Sequence, residues 1–205
     1  MSTTHVPERI ALLGNPNSGK TALFNLLTGS RQKVANYAGV TVERKEGVLI
    51  TTTGRRVSVL DLPGAYSLNA VSADEAVTRD VITGHSREAL PDLLVCVVDA
   101  TNLRLHLRLV LEARRLGIPL IVALNKMDRV EQLGITVDVE RLQRELNLPV
   151  VSTVSVHAHG ADALRDVLDQ ALVPAGPAHW SAPGVEQVLA TQRDVLRIFQ
   201  LVVKE

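Results

Sequence analysis

Eight consecutive residues, Gly14-Asn15-Pro16-Asn17-Ser18-Gly19-Lys20-Thr21, fit the pattern GxxxxGK[ST] in full. That pattern binds phosphate. Its glycines let backbone N–H groups close around a β-phosphate, and a helix starting at its end adds positive partial charge. Lys20 then bridges β- and γ-phosphates while Thr21 offers its hydroxyl to Mg²⁺. With Ala22, the turn from Asn15 onward forms the expected phosphate-binding surface. Further along, Asp61-Leu62-Pro63-Gly64 reads as DxxG, which sets the Asp61 carboxylate near Mg²⁺ and the Gly64 N–H at a γ-phosphate. Asn125-Lys126-Met127-Asp128 reads as NKxD. There Asp128 accepts from guanine N1–H and the exocyclic amine, and Asn125 serves the carbonyl side. An adenine would leave the Asp128 carboxylate unpaired, so the site selects GTP. Asp-x-Pro-Gly alone is an ordinary turn, but the three motifs in this order at strand ends specify a GTPase of the Ras-like class.

A nucleotide-sensitive loop belongs between the first two motifs, in Val34-Ala35-Asn36-Tyr37-Ala38-Gly39-Val40-Thr41. Gly39 and Val40 are expected to border the nucleotide, with Thr41 as second Mg²⁺ ligand or, alternatively, as a plain threonine beginning a strand. Ala65 follows Gly64 where Ras carries a water-orienting glutamine, so hydrolysis needs other help. Asn17 is the candidate. Its amide oxygen could hold K⁺ beside the β- and γ-phosphates, in an arginine finger's place, with backbone carbonyls near Ala35 and Tyr37 as further ligands; the bland reading is that Asn17 merely stabilises its turn. The catalytic set is then Asn17, Lys20, Thr41 and Gly64. Position alone makes Ser155-Val156-His157 the loop that caps the guanine through backbone N–H groups. The His157 and His159 pair reads as solvated loop rather than a metal site, and Cys96 as a buried strand residue.

Elements that would hold these residues alternate from Arg9 to about Leu172, the mark of an α/β sheet with helices on both faces. Buried strands are expected at 9–13, 93–98, 119–124 and 150–154, with a hairpin of 47–53 and 56–60 around Thr53-Gly54-Arg55. This gives a mostly parallel six-stranded sheet with one antiparallel edge strand. Helices are expected at 20–28, 103–116 and 161–172. Pro and Gly then mark a linker, so the chain divides into 1–172, a linker at 173–184 and a helix in 185–205. That last helix carries too much apolar surface to stand in water. Either it packs back on the α/β domain or it begins a helical subdomain.

Composition bounds the function. Of 205 residues, 46% are hydrophobic and 21% charged, enough for a full core. Lys and Arg total 22 against 22 Asp and Glu, a net charge of zero, which leaves no surplus to hold nucleic acid. One cysteine cannot form an intrachain disulfide, and no apolar run approaches a membrane span, so the chain reads as cytosolic. Met1-Ser2-Thr3-Thr4-His5 lacks the form of a signal peptide.

Three stretches together resemble one family: the phosphate motif; Asn36-Tyr37-Ala38-Gly39-Val40-Thr41-Val42-Glu43-Arg44-Lys45-Glu46-Gly47; and Asp61-Leu62-Pro63-Gly64-Ala65-Tyr66-Ser67-Leu68. It is the N-terminal cytoplasmic G domain of the bacterial ferrous iron transport protein B, and the resemblance covers roughly residues 8–172. Gly134-Ile135-Thr136-Val137-Asp138 also looks like the family; Tyr37 and Ala38 depart from its usual tryptophan and proline. The resemblance implies a GTP/GDP-binding head at the inner face of the plasma membrane, preceding a membrane-embedded Fe²⁺ permease of the same full-length protein, and K⁺ stimulation where Asn stands at position 17. A homo-oligomer is compatible with it. Two other readings stay open at this point: an assembly GTPase acting on ribosome or tRNA, against which zero net charge argues, and a GTP-gated interaction module with little turnover.

Overall fold

The computed structural model describes residues 9–29, 32–170 and 181–204. Its frame is a sheet whose central strands are continuous apolar runs. β1 (Arg9–Gly14) leads through the phosphate motif into α1 (Lys20–Thr28). β2 (Gln32–Asn36), β3 (Glu43–Ile50) and β4 (Arg56–Asp61) follow, then α2 (Ala73–Thr83) and β5 (Leu93–Asp99). A 3₁₀ turn at Ala100–Asn102 opens α3 (Leu103–Arg114), and β6 (Leu120–Asn125), α4 (Met127–Gln132), β7 (Thr136–Val137) and α5 (Val139–Leu146) come next. β8 (Val150–Ser152), α6 (Asp162–Gln170), α7 (Val185–Val202) and β9 (Val203–Lys204) complete the order.

The main sheet has seven strands in the order β2-β3-β4-β1-β5-β6-β8, one more than the sequence pattern predicts. All pairings from β4 to β8 are parallel, whereas β3 is antiparallel to both β4 and β2. The antiparallel strand therefore lies second from the edge, and β2 takes the edge itself. Gln32-Lys33-Val34-Ala35-Asn36 is largely exposed, so no burial pattern announces it; register with β3, from Gln32↔Gly47 to Asn36↔Glu43, makes it a strand. Val34, Ala35 and Asn36, expected in a loop, belong to this edge.

Alternation along the buried strands sends side chains to two cores. On one face Ile10, Leu12, Val57, Val59, Val95 and Val97 meet Leu23, Phe24 and Leu27 of α1 and Leu164 and Leu168 of α6. On the other, Ala11, Leu13, Leu94, Cys96, Val122 and Leu124 meet α3, α5 and α7 through residues such as Leu107, Leu142 and Ile198. Phe24 is fully buried, and truncating it to alanine is expected to destabilise the fold by about 3–5 kcal/mol.

The last helix packs on this second core. α7 lies against α3 and α5, burying Val195, Ile198 and Val202. The Asp138 N–H donates to Val202 O at 2.8 Å, and β9 pairs antiparallel with β7. Residues 171–180, holding most of the expected linker and the last two positions of the helix expected at 161–172, lie outside the described residues. The parallel topology puts the carboxyl ends of β1, β4, β5, β6 and β8 along one sheet edge, where ligands of such folds bind.

Candidate functional site

At that edge β1 stops at Gly14 and the chain turns sharply into α1. Two left-handed residues make the turn, Asn17 at φ 64° and Gly19 at φ 90°. A side chain at Gly19 would collide with the Asn125 amide, so glycine is required there by conformation and by contact. Gly64 is similarly crowded: a Cβ there would lie 3.0 Å from Pro16 Cγ. Ala65 N–H donates to Gly14 O at 3.1 Å, tying the DxxG segment to the phosphate loop.

Lys20 and Asp61 form a buried ion pair through Nζ and Oδ1, and Thr21 Oγ1 lies 3.4 Å from Asp61 Oδ2. Two adjoining cavities open here. One of about 450 Å³ is lined by Asn15, Pro16, Asn17, Gly19, Lys20, Thr21, Ala22, Gly64 and Asp74. The other, of about 390 Å³, brings Thr41 and Asp61 to the same Lys20, Thr21, Gly64 and Asp74. Thr41 is exposed, as are Gly39 and Val40; the latter two line a different hollow, against α2.

The base motif is firmly held. Asn125 Nδ2 donates to Ser18 O at 3.0 Å, while its Oδ1 accepts from Ser155 N at 3.0 Å, Ser155 Oγ at 2.8 Å and Thr153 Oγ1 at 3.3 Å. Asn125 is thus a strut between three loops, with one Nδ2 hydrogen given no acceptor among the described residues. Lys126, left-handed at φ 63°, donates from Nζ to Asn17 O at 2.8 Å and to Asp99 Oδ2 at 2.6 Å. Asp128 is half-buried in the first turn of α4, and its carboxylate has no hydrogen bond or ion pair with another described residue. Ser155 is buried on Asn125, but Val156, 78% exposed, and His157 stand in the open. The sequence places these three together as a guanine cap through backbone N–H groups; here the Ser155 N–H donates to Asn125 and the His157 N–H to Val154 O at 3.0 Å.

Three acidic residues at this edge escaped the motif reading. Glu75 accepts from Tyr66 N at 3.0 Å and Val71 N at 2.9 Å while Ser72 caps α2, which folds the segment after DxxG. Burial opposes its ionisation, but these backbone N–H groups outweigh it and hold the carboxyl below its ordinary range. The spacing Ser72-x-x-Glu75 was a visible signal, a capping box. Asp74 borders both cavities, and Asp99 ends β5 beneath Lys126.

A nucleotide and Mg²⁺ fit this chemistry. Both amide atoms of Asn15 and the Ser18 hydroxyl are buried in the phosphate loop without a partner among the described residues. Thr21, Thr41 and Asp61 supply the hard oxygen donors that Mg²⁺ takes, on one cavity wall. For K⁺ the fit is partial. Asn17 is exposed in the first cavity, yet no residue of the 34–37 stretch lines it, and Tyr37 O accepts from Val40 N at 3.3 Å.

A profile of the family described as ferrous iron transport protein B matches residues 8–168. The chain belongs to that family. Fe(2+) transporter FeoB of Escherichia coli strain K12 is 47% identical over 161 residues, which is 78% of this chain and 21% of the relative. The FeoB of Salmonella typhimurium strain LT2 is 48% identical over the same extent. The chain therefore spans about a fifth of the length of these curated relatives. Among solved structures, the cytosolic domain of the T. maritima FeoB iron transporter in its GMPPNP form superposes with a TM-score of 0.82 at 27% identity, covering 96% of this chain and 99% of that one. The G domain of T. maritima FeoB gives 0.72 at 40% identity, covering 80% and 97%. The α/β fold is that of the FeoB G domain, a Ras-like P-loop fold.

Proposed function

We propose that this chain is the Mg²⁺-dependent GTP-binding and GTP-hydrolysing head of a bacterial ferrous iron transporter. The observation that carries the reading is the single cavity wall shared by Lys20, Thr21, Thr41, Asp61 and Gly64. On nucleotide binding Lys20 leaves Asp61 for the β- and γ-phosphates, which frees the carboxylate to face Mg²⁺. The Gly64 N–H meets the γ-phosphate, Thr21 and Thr41 turn their hydroxyls inward, and Asp128 pairs with the guanine edge. Mg²⁺ held by Thr21, Thr41 and Asp61 would offset the charge that develops on the phosphates. Titration with labelled GTP, GDP and ATP tests the reading: binding of the guanine nucleotides alone is expected, and equal affinity for GTP and ATP would overturn it.

Stimulation by K⁺ is part of the proposal. Ala65 ends in a methyl, which has no polar atom to orient a water, and we assign help in the transition state to Asn17. The loop at Tyr37 must rearrange to give its carbonyls to the cation. Turnover in KCl and NaCl at equal ionic strength, for the native chain and Asn17→Ala, decides this; identical rates in both salts reject the cation. The same Ala65 favours a second reading, a GTP-gated interaction module that barely hydrolyses. Slow turnover in both salts with tight GTP binding would establish it instead.

The wider setting follows the relatives, named as Fe(2+) transporters. Residues 1–172 form the nucleotide domain, 173–184 link, and the helix in 185–205 begins a helical subdomain docked on α3 and α5. The head sits at the inner face of the plasma membrane and signals to the membrane-embedded Fe²⁺ permease of the longer protein.

A further inference from the structure

Lys126 is anchored at both ends. Its backbone sits in the left-handed region, and its ammonium donates to Asn17 O and Asp99 Oδ2 at 2.8 and 2.6 Å. Between these anchors the methylene chain passes over the exit of the phosphate loop, with Cε 3.9 Å from where a Cβ on Gly19 would lie.

Asp99 is itself immobilised. It is 8% exposed, and its Oδ1 accepts from Thr101 N at 2.9 Å and Thr101 Oγ1 at 2.6 Å. Its own N–H donates to Nδ1 of buried His106 at 3.3 Å. One carboxylate oxygen is thereby fixed to the turn and the other faces Lys126. Burial opposes its ionisation, but hydrogen bonds from Lys126 and Thr101 prevail and keep the carboxyl below its usual range.

Resting on the GTP reading above, we propose that Asp99 is a positioning residue for guanine recognition: it holds Lys126 extended, so that the methylenes form one preset wall of the base slot beside Asp128. Without that carboxylate the ammonium returns to water, and each binding event has to freeze a flexible four-carbon stem. The competing role is structural, a cap on the turn at Ala100–Asn102 through Thr101.

Asp99→Asn separates the two, because it keeps an oxygen for Thr101 and removes the charge that attracts Lys126. We expect its affinity for GDP to fall on the order of tenfold, with affinity for tripolyphosphate, which lacks a base, unchanged. In a Lys126→Met background the same substitution is expected to change GDP affinity by less than about twofold, since the partner is already gone. A tenfold loss that persists in the Lys126→Met background overturns the proposal, as does wild-type GDP affinity in Asp99→Asn or an equal loss toward tripolyphosphate. If the native chain binds no guanine nucleotide, the underlying GTP reading has failed instead.

Discussion

The loop after β6 and the loop joining β2 to β3 reach the same edge of the sheet with very different degrees of internal satisfaction. In the first, Asn125 takes part in four hydrogen bonds and Lys126 in two, linking the phosphate loop, the end of β5 and the loop after β8. In the second, residues 38–41 are exposed, and the turn is closed by Tyr37 N to Val42 O at 2.9 Å and Val40 N to Tyr37 O at 3.3 Å. The base side is built before the ligand arrives, so binding there does not have to order it. On the proposed function, the side carrying Thr41 is the one a ligand would order, and a loop of that kind can report which nucleotide is present.

The strongest way to break this contrast is to attack the hinge between the two halves. Lys20→Ala is expected to weaken GDP and GTP binding on the order of 10²–10³-fold. It also strands the buried Asp61, so ligand-free stability should fall by about 3 kcal/mol in denaturant melts. Unchanged nucleotide affinity would mean that Lys20 is a structural ion-pair partner and no more. Next in size, Asp128→Asn is expected to lose guanine affinity on the order of 10²-fold while gaining xanthosine nucleotides. Because the Asp128 carboxylate has no hydrogen bond or ion pair with another described residue, its melting should not change. A melt lowered as far as in Lys20→Ala would show that the base side relies on this carboxylate for folding.

The contrast also sets what the sequence made legible. Buried parallel strands such as Leu93–Asp99 and Leu120–Asn125 are readable because both faces are apolar, and the phosphate and base motifs because their chemistry is local in the chain. β2 was hidden because an exposed edge strand owes its form to its neighbour's backbone. The two-residue pair of β7 and β9 is still less visible, joining Val137 to Val203, 66 residues further along the chain, and Thr136 to Lys204. Residue types and spacing single out Lys20, Asp61 and Asp128 as candidates, but not Asp99, whose contact with Lys126, 2.6 Å away across 27 positions of sequence, appears only in the fold. They also gave Asn125 a role toward the base and missed that most of its bonding capacity joins loops.

Acid sharpens the comparison from the protein's interior. His106 is 4% exposed beneath the base side, and burial drives its imidazole down to about 4 from 6.5. An unfolded chain takes up a proton near 6.5 and the folded one near 4, so stability is complete above that window and declines as pH falls through it. At pH 5 the expected deficit is on the order of 2 kcal/mol. His106→Gln should flatten this part of the stability–pH curve, and an unchanged slope in urea melts would remove His106 as its source.

Thr41→Ala is the smallest change and the most discriminating. Thr41 is exposed and makes no hydrogen bond to another described residue, so its methyl and hydroxyl contribute little to the ligand-free fold. Ligand-free melting should therefore match the native chain. GDP does not bring the γ-phosphate that would draw this loop inward, and its affinity should stay within about twofold. GTP with Mg²⁺ loses one oxygen donor that water can replace, so its affinity should fall only on the order of tenfold. The informative quantity is the ratio of the two affinities, read by competition against one fluorescent nucleotide. Equal losses for GDP and GTP would place Thr41 in the prebuilt half of the site and erase the division between a fixed base side and a ligand-ordered phosphate side. A selective loss for GTP that vanishes when Mg²⁺ is removed by EDTA would tie the loop's ordering to the donor set of Thr21, Thr41 and Asp61 on their shared wall.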